Sequence, residues 1–405
     1  METVGIICEY NPLHNGHVRQ LRLARQAVGA GCAIICLMSG NYVQRGVPAI
    51  YPKQVRAEAA LRCGADLVLE LPLTVAVSSA EGFAAGGVSI LSALGCDRLC
   101  FGTESEDFEA MMQTARANLS PDFDALLRAE METGCSYPLA RQRALTVLGA
   151  GAGLNSPNDI LAVEYCKAML RQGSGMLPLP VRRTGSYHAQ ALDPEAPSAT
   201  ALRAALAENG DAWRAAVPPE AQACYEKSPI HTWAAGERAV LARVRALPKE
   251  AFLALPFGTE GLWSKLMKSC RSCASTEEII EAAKSKRYPR SRIQRMLLCA
   301  YLGLTKIDLE TPPPYVRILG FGDKGRSLLR EWKGRFPLIH AGERPQAQSY
   351  YSLERCAANL YSLFSAAPST PAGTEETLRV VCLDLQKCGL NRFRKNSGNL
   401  PTNMI

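Results

Sequence analysis

Two histidines three residues apart begin the first predicted helix of the chain. His14 and His17 flank Gly16, and they follow an apolar run that ends at Cys8. A glycine lets a nucleotide approach the backbone, and the first N–H groups of a helix are free to bind phosphate. Because residues three apart lie on one side of a helix, both imidazoles can donate hydrogen bonds to phosphate as charge develops there. The spacing predicts adenylyl transfer, and the alternative is two surface histidines beside a helix start.

A second segment, Ser198–Arg203, has the pattern Ser-x-Thr-x-hydrophobic-Arg at another predicted helix start. Hydroxyl and N–H groups at such a start can hold phosphate, and the arginine adds positive charge. Alone, the segment indicates only a helix N-cap. Together with the two histidines it favours a triphosphate site, so Ser198 and Thr200 are predicted to bind ATP.

The composition of the 405 residues restricts the class of protein. A hydrophobic content of 47% and a mean hydropathy of −0.06 fit a globular protein of two to three domains. No uncharged apolar run is long enough to span a membrane, and the start lacks a basic segment before an apolar one, so a cytoplasmic location is predicted. The 15 cysteines are expected to be mostly free thiols. Cys270 and Cys273 form a close pair with no second pair nearby, so no metal site is predicted.

The net charge of +8 is distributed unevenly. Residues 1–210 contain 17 Lys+Arg and 20 Asp+Glu, a net of −3, whereas residues 211–405 contain 29 and 18, a net of +11. A basic half joined to a near-neutral half predicts a polyanion-binding region. The alternative is an unevenly charged surface without a partner.

The densest basic cluster has six cations in twelve residues and no acid. Phosphate contacts by these cations would give affinity without sequence choice, and Tyr288 could stack on an unpaired base. A weaker cluster comprises Arg392, Arg394 and Lys395. The predicted RNA-binding residues are Lys284, Lys286, Arg287, Arg290, Arg292 and Arg295.

Apolar strands alternate with helices through the first half of the chain. This alternation predicts an α/β, Rossmann-like parallel sheet covered on both faces, with all strand C-termini at the ligand-binding edge. The predicted strands are Val4–Cys8, Ala33–Met38, Leu67–Leu71, Arg98–Phe101 and Leu177–Val181. The predicted helices include Asn15–Val28, Lys53–Cys63, Ala80–Leu94 and Ser198–Ala207.

The second half has a different pattern, which is mainly helical. Two further strands are predicted there, at Tyr315–Leu319 and Leu378–Leu383, and residues 365–376 are predicted to form a loop or linker. The chain is therefore divided into an ATP-handling domain, 1–210, and a mainly helical basic region, 211–405.

Six segments together resemble the bacterial tRNA(Met) cytidine acetate ligase family, and the similarity runs through essentially the whole chain. The His-x-Gly-His element within the first of them is also the signature of nucleotidyltransferases and class I aminoacyl-tRNA synthetases. The resemblance implies a nucleotidyltransferase-like Rossmann (HUP) domain followed by a largely helical RNA-binding region. The segments are Gly5–His17, Met38–Gly46, Cys63–Pro72, Leu99–Glu104, Ser156–Ile160 and Ser198–Arg203.

The resemblance also implies a reaction. ATP and acetate give acetyl-adenylate and pyrophosphate, and the N4 amine of the wobble cytidine of elongator tRNA(Met) then takes the acetyl group, which releases AMP. His14 and His17 are the implied catalytic residues, and Mg²⁺ is expected with ATP although no ligands for it are identified. The implied ATP contacts are Ile7, Cys8, Glu9, Tyr10, Asn11, Pro12, Leu13, His14, Asn15, Gly16, His17, Val18, Arg19, Gln20, Gly102, Asn158 and either Arg182 or Arg183.

These assignments are physically reasonable. Gly102 ends a predicted strand where a side chain would block the nucleotide, and Asn158 offers both a donor and an acceptor. A turn glycine, a helix-capping asparagine and a surface arginine are the alternatives. His188 is predicted to be either an extra polar contact to the ligand or a structural histidine. We also hypothesise that Arg45 or Lys53, after the second strand, contacts the acetate, the pyrophosphate or the tRNA.

Two other functions are considered. A small-molecule adenylyltransferase, or a carboxylate–amine ligase resembling pantothenate synthetase, would share both motifs but would not need a basic second half. An RNA-binding protein with a degenerate nucleotide domain would not need intact His14, Gly16 and His17. The sequence leaves the oligomeric state open.

Overall fold

The computed structural model of the chain describes residues 1–152, 154, 156–183, 192–194, 197–208, 210–366 and 372–383. The strands in this part are β1 (Thr3–Cys8), β2 (Ala33–Ser39), β3 (Tyr42–Val43), β4 (Val47–Pro48), β5 (Leu67–Leu71), β6 (Arg98–Thr103), β7 (Leu177–Arg182), β8 (Val316–Phe321), β9 (Leu338–His340) and β10 (Val381–Cys382).

The helices of the first half begin with the histidine segment. They are α1 (Asn15–Val28), α2 (Lys53–Arg62), α3 (Leu73–Ala76), α4 (Ala80–Leu94), α5 (Phe108–Ala117), α6 (Pro121–Glu132), α7 (Tyr137–Val147), α8 (Pro157–Gln172) and α9 (Ala199–Ala207). The helices of the second half are α10 (Pro219–Tyr225), α11 (Trp233–Ala246), α12 (Lys249–Leu253), α13 (Leu262–Ser272), α14 (Thr276–Ala283), α15 (Arg290–Leu302), α16 (Lys306–Glu310), α17 (Asp323–Glu331), α18 (Gln348–Tyr361) and α19 (Thr374–Thr377).

The main sheet has the strand order β10-β8-β5-β2-β1-β6-β7, and β9 also pairs with β8. Every pair is parallel except β5 with β8, which run antiparallel. All residues of β1, β2 and β5 are buried because helices cover both faces, which explains their uninterrupted apolar sequences. The predicted α/β fold is confirmed.

Strands from the second half complete this sheet. β8 lies beside β5 and is buried along its length except at Phe321, which is partly exposed. The sheet therefore runs through both halves of the chain, and the division into 1–210 and 211–405 stays a prediction about the separation of functions. The strand predicted at Leu378–Leu383 is shorter, at β10. The segment 365–376, which is predicted to be a loop, includes the first three residues of α19. Arg392, Arg394, Lys395 and His188 lie outside the described residues.

Helices of the second half form a separate apolar core. Val240, Leu266, Ile279 and Leu297 are fully buried in it, and so is Tyr42 of the β3–β4 hairpin. The hairpin thus joins the helical layer to the edge of the sheet where the strands end. No helix in the described part of the chain is both long and apolar enough to cross a membrane.

Candidate active site

A cleft of about 1580 Å³ lies at the carboxyl ends of β1 and β6 and opens to solvent. Its walls come from the start of α1, the N-termini of α8 and α9, and the turn of the β3–β4 hairpin. Such a position is expected for ligand sites of parallel sheets. The predicted site residues that line it are Ile7, Cys8, Glu9, Tyr10, Asn11, His14, His17, Gln20, Gly102, Asn158, Arg183, Ser198 and Thr200.

The other predicted contacts lie around this cleft. Pro12, Leu13, Asn15 and Val18 line neither the cleft nor the cavity of about 360 Å³ that adjoins it. The Leu13 N–H donates to the Tyr225 hydroxyl at 3.0 Å, so this residue anchors the loop before α1. The predicted residues that line the adjoining cavity are Gly16, Arg19, Gln20, Gly102, Arg182 and Arg183.

The two histidines lie against each other at the start of α1. Their ring centroids are 3.8 Å apart and the rings are stacked. The backbone N–H of His14 donates to Nδ1 of His17 at 3.3 Å, which leaves the proton of the neutral His17 ring on Nε2. Nδ1 of His14 is buried and has no hydrogen-bond partner among the described residues. Since such an atom is costly to leave unpaired, a bound ligand is expected to satisfy it.

Both rings are neutral at physiological pH. Burial lowers the pKa of His14 to about 3, and the nearby Arg183 and Arg203 add to this effect. Burial, with His14 beside it, also lowers the pKa of His17 well below its ordinary value. Neutral imidazoles can donate one hydrogen bond each to phosphate and need no deprotonation to remain stacked.

The geometry distinguishes Arg183 from Arg182. The guanidinium of Arg182 pairs with Glu106 and its side chain is 64% exposed. Arg183 instead lines the cleft and passes over Gly102, where an added Cβ would lie 3.2 Å from the Arg183 Cγ and Cδ atoms. Gly102 thus leaves space for the arginine, and Arg183 stays the predicted phosphate contact of the two.

The N-terminus of α8 carries Asn158 into the cleft wall. Ser156 caps the helix by accepting from the Asp159 N–H at 3.2 Å, and Asp159 accepts from the Glu104 N–H at 2.7 Å. The Asn158 amide donates to Glu104 Oε1 at 2.7 Å. These bonds fix the side chain at the end of β6, beside Gly102.

The N-terminus of α9 closes the opposite side. Ser198 caps it by accepting from the Ala201 N–H at 3.0 Å. Arg203 donates to the Asn11 carbonyl at 2.8 Å and to the Thr200 hydroxyl at 3.2 Å. Arg203 therefore links this helix to the loop after β1, and its place in the Ser-x-Thr motif is the sequence signal that pointed to it.

Arg45 and Lys53 follow β2, and the structure separates these two predicted substrate contacts. Arg45 lies at the turn of the β3–β4 hairpin and lines the cleft. Lys53 does not line it, because its ammonium is enclosed by Glu70 and Glu375 at 2.8 Å. The proposed substrate contact by Lys53 is therefore wrong. The sequence spacing did not reveal that Arg45 lies in a hairpin turn whereas Lys53 begins α2.

One carboxylate faces the cleft in the described part of the chain, that of Glu9. Its Oε1 accepts from the Gln44 N–H at 2.7 Å. Burial raises the pKa of Glu9, and the Gln44 N–H, Arg45 and Arg203 oppose that shift. Hydrophobic side chains form the facing wall, and sequence reasoning did not assign them: Phe83, Phe101, Ile160, Leu161 and Tyr165.

The six cations of the predicted RNA-binding cluster do not form one surface. Arg290 pairs with Glu277 and Glu281 of the preceding helix, and Glu281 also pairs with Lys284. Arg292 donates to the Phe257 carbonyl at 2.9 Å and to the Thr259 hydroxyl at 2.7 Å. The sequence window contained no acid, but the fold brings acids of α14 against it.

Other members of the cluster have different environments. Arg295 lies over the Phe257 ring, and burial lowers its pKa to about 10. The hydroxyl of Tyr288 donates to the Glu260 carbonyl at 2.6 Å, so its predicted stacking on a base would compete with this contact. Lys286 and Arg287 are exposed and remain available for a polyanion.

Comparison with known proteins agrees with this geometry. The model of the family described as HIGH Nucleotidyl Transferase matches residues 1–376. A tRNA(Met) cytidine acetate ligase from Clostridium novyi is 36% identical over 351 residues, 82% of this chain and 88% of that protein. A protein of the same name from Acetivibrio thermocellus is 32% identical over 416 residues, 95% of this chain and 100% of that protein.

Two solved structures of Thermotoga maritima TmcAL are also similar. The apo form superposes with a TM-score of 0.88, and the form bound with alpha-thio ATP with a TM-score of 0.85. Each is 30% identical and covers 95% of this chain and 100% of its own. The chain therefore belongs to the tRNA(Met) cytidine acetate ligase family of HIGH nucleotidyltransferases.

Proposed function

We propose that this chain uses ATP and acetate to acetylate the N4 amine of the wobble cytidine of elongator tRNA(Met), through an acetyl-adenylate. The observation that carries the proposal is that α15 begins directly after the loop with Lys286 and Arg287 and contacts the β3–β4 hairpin, whose turn lines the histidine cleft. The names of the relatives support the identity of the substrates, and the ATP-analogue complex of the Thermotoga maritima protein supports nucleotide binding.

The first step is attack of an acetate oxygen on the α-phosphorus of ATP, with pyrophosphate as the leaving group. His14 and His17 donate hydrogen bonds to phosphate oxygens, and Arg183 and Arg203 offset the charge that develops. The N-terminus of α9, capped by Ser198, offers backbone N–H groups to the outer phosphates. The product is a mixed anhydride whose AMP group leaves readily.

The second step is attack of the N4 amine on the acetyl carbonyl carbon, with release of AMP. No covalent enzyme intermediate is needed if the cleft aligns the two reactants. Such alignment can lower the activation barrier by about 7–11 kcal/mol in well-oriented systems. The hydrophobic wall that includes Phe101 and Tyr165 suits a base or the acetyl methyl group.

We expect Mg²⁺ to accompany ATP. In the described part of the chain no group of three or more His, Cys, Asp or Glu residues could hold a metal. The cleft therefore fits a cation carried on phosphate oxygens, which Mg²⁺ commonly uses together with water. Its contribution would be charge neutralisation. We place the reaction in the cytoplasm, where ATP and tRNA occur.

The basic surface consists of exposed or half-exposed cations on α13 and in the loop after α14: Lys265, Lys268, Arg271, Lys286 and Arg287. Nζ of Lys265 donates to the Lys284 carbonyl at 3.1 Å, so the helix and the loop adjoin. None of the five pairs with an acid among the described residues. Cations without an acidic partner on an adjoining helix and loop favour contacts with phosphates of a nucleic acid.

Helix α15 places this surface beside the cleft. The helix begins at Arg290, directly after the loop, and Gln294 one turn later donates to the Gly46 carbonyl at 3.3 Å. Gly46 follows Arg45, which lines the cleft. Four residues of α-helix span about 6 Å. A tRNA that contacts the basic surface could therefore present a nearby unpaired base to the cleft.

The direct test supplies the protein with ATP, labelled acetate and unmodified elongator tRNA(Met), and omits each in turn. Label in N4-acetylcytidine that requires ATP would support the proposal. Acetyl-adenylate that is never transferred to tRNA would favour a small-molecule ligase. Absence of both products would favour a binding protein without this activity.

Separation of the two functions is tested with matched variants. We expect Lys286→Ala with Arg287→Ala to preserve adenylate formation and to weaken tRNA binding, with the slope of log affinity against log salt reduced by roughly 1.4–1.8. Arg330→Ala, on α17 packed against the sheet, is the control and should leave both unchanged. An equal loss of adenylate formation and tRNA binding in the double variant would contradict the assignment.

A further inference from the structure

Glu9 is the feature of the cleft that the adenylation step does not explain. Among the described residues it is the single carboxylate that lines the cleft, at the end of β1 directly before Tyr10. The resemblance places it within a stretch that contacts ATP. Both reactants of the first step are anions, however, and a carboxylate beside them raises their energy.

The reactants of the second step differ in this respect. Cytosine offers hydrogen-bond donors at its N4 amine, and a carboxylate that accepts from that amine is the standard protein contact for this base edge. Neither the triphosphate nor the acetate has a donor to offer. ATP carries donors at its ribose hydroxyls and its adenine amine, but neither of these groups loses a proton in the reaction, whereas the N4 amine does. The chemistry of the cleft therefore matches Glu9 to the amine.

The carboxylate of Glu9 is held in place from several sides. Its Oε1 accepts from the Gln44 N–H at 2.7 Å, which fixes the side chain against the hairpin turn. The charged groups that face it are Arg45 on that turn, Arg203 on α9 and Arg56 on α2. Burial raises the pKa of Tyr165 on α8, and the nearby Cys8 and Glu9 add to that shift. Burial raises the pKa of Glu9, and the Gln44 N–H and the three arginines oppose that shift.

We propose that Glu9 binds the N4 amine of the target cytidine, orients its lone pair toward the acetyl carbon and accepts its proton during acyl transfer. This inference rests on the proposed function and assigns a residue to its second step. Oε1 remains bound to the Gln44 N–H, and Oε2 is the atom assigned to the amine.

The step balances as follows. The nitrogen lone pair forms the N–C bond to the acetyl carbon, and one N4 proton passes to the Glu9 carboxylate. The carbon–oxygen bond to AMP breaks, and its electron pair leaves with the phosphate. Glu9 then releases the proton to AMP or to water, so the enzyme returns to its starting state and the products are N4-acetylcytidine, AMP and one proton.

Glu9→Gln is the informative substitution, because the amide keeps the size of the side chain and an oxygen for the Gln44 N–H while it removes the charge. Adenylate formation is measured separately by trapping with hydroxylamine, a strong nucleophile that needs no general base. We expect acetohydroxamate to form within about threefold of the wild-type rate, while single-turnover acetylation of tRNA falls by roughly 10²–10⁴.

Two further measurements keep the test decisive. Glu9→Asp retains the charge and should recover part of the transfer rate, and the rise of that rate with pH in the wild type should be absent in Glu9→Gln. Glu58→Gln, which removes a carboxylate paired with Arg62 on α2, is the matched control and should change neither step.

The possible outcomes separate this inference from the proposed function. If Glu9→Gln lost hydroxamate and transfer equally, or changed the Mg²⁺ requirement of adenylation, Glu9 would serve ATP and the inference would be wrong. Unchanged transfer in Glu9→Gln would also overturn it. If the wild-type protein formed no acetyl-adenylate or never acetylated tRNA, the proposed function itself would fail.

Discussion

The buried charges around Lys53 provide a quantitative test of the structure. Nζ of Lys53 contacts both carboxylate oxygens of Glu70 and both of Glu375, at 2.8–2.9 Å. Arg317 contacts Glu375 at 2.9 Å and Glu354 at 3.0 Å. All five side chains are at most 8% exposed. The group connects α2, β5, β8, α18 and α19, which come from distant parts of the sequence.

The charge count sets the expected magnitudes. Two cations face three carboxylates, so removal of Lys53 leaves Arg317 alone against all three. Loss of one partner of a buried pair typically costs about 3–5 kcal/mol, and we expect Lys53→Met to lower the free energy of unfolding by that amount. Glu70→Gln instead leaves two cations and two carboxylates and keeps an oxygen for Lys53, so we expect a cost below about 1 kcal/mol.

The pH dependence gives an independent check. Burial raises the pKa of Glu70 from 4.5 to about 7, with Glu375 and Glu354 adding to the shift and Lys53 opposing it. Between about pH 4.5 and pH 7, Glu70 therefore holds a proton in the folded state that it has released in the unfolded state. This contribution to stability is full below pH 4.5 and is lost as the pH rises through about 7. We expect wild-type stability to decline over this window and Glu70→Gln to decline less.

The assay is urea unfolding followed by circular dichroism, with limited proteolysis of residues 372–383 as a local readout. Lys306→Met, which removes a 64% exposed lysine, is the control and should cost under about 0.5 kcal/mol. The reasoning would be refuted if Lys53→Met cost less than about 1 kcal/mol, or if Glu70→Gln cost as much as Lys53→Met.

Three further predictions concern the cleft. Gly46 has φ +79 and an added Cβ would lie 2.7 Å from the Arg295 backbone, so Gly46→Ala should cost at least about 1–2 kcal/mol and lower Tm, whereas Gly31→Ala, with open space around it, should not. His14 has a pKa of about 3 in the folded state and 6.5 in its ordinary state, so the free energy of unfolding should fall as the pH drops below about 6.5. His14→Ala removes this effect. Between pH 7 and pH 4, urea unfolding should show that the variant loses on the order of 3 kcal/mol less stability than the wild type. Ser198→Ala should cost about 1 kcal/mol and raise the KM for ATP in the hydroxamate assay, and Ser198→Thr should restore both; an unchanged KM in Ser198→Ala would contradict the role of this cap.

Local sequence signals predicted the first half of the fold well. The bounds of α1, β5 and α4 follow from hydrophobic periodicity, and the structure reproduces Asn15–Val28, Leu67–Leu71 and Ala80–Leu94. These elements are specified by residues close together in the chain. The same signals missed the pairing of β8 with β5, since antiparallel pairing between such distant segments depends on the packing of the whole sheet.

Some residues of the candidate site could likewise be recognised from local sequence, whereas others could not. The motif around His14 and the cap at Ser198 could be recognised because each lies within a few residues of a strand end or helix start. Selection of Arg183 over its neighbour, and of Arg45 over Lys53, required knowledge of which acid lies within reach of each cation. Adjacent residues of one charge look alike in sequence, whereas their partners come from other elements.

The sequence by itself determined the α/β class, the edge of the sheet that holds the histidines, and the basic character of the second half. Each follows from local periodicity, from the handedness of strand–helix–strand connections, or from a charge count. Only the tertiary structure decided which charges remain uncompensated. It brought acids of α14 against Arg290 and left Lys286 exposed, and it left Glu9 as the carboxylate of the described cleft. The physical reason is that the energy of a charge depends on its distance to other charges and to water, and only folding sets those distances.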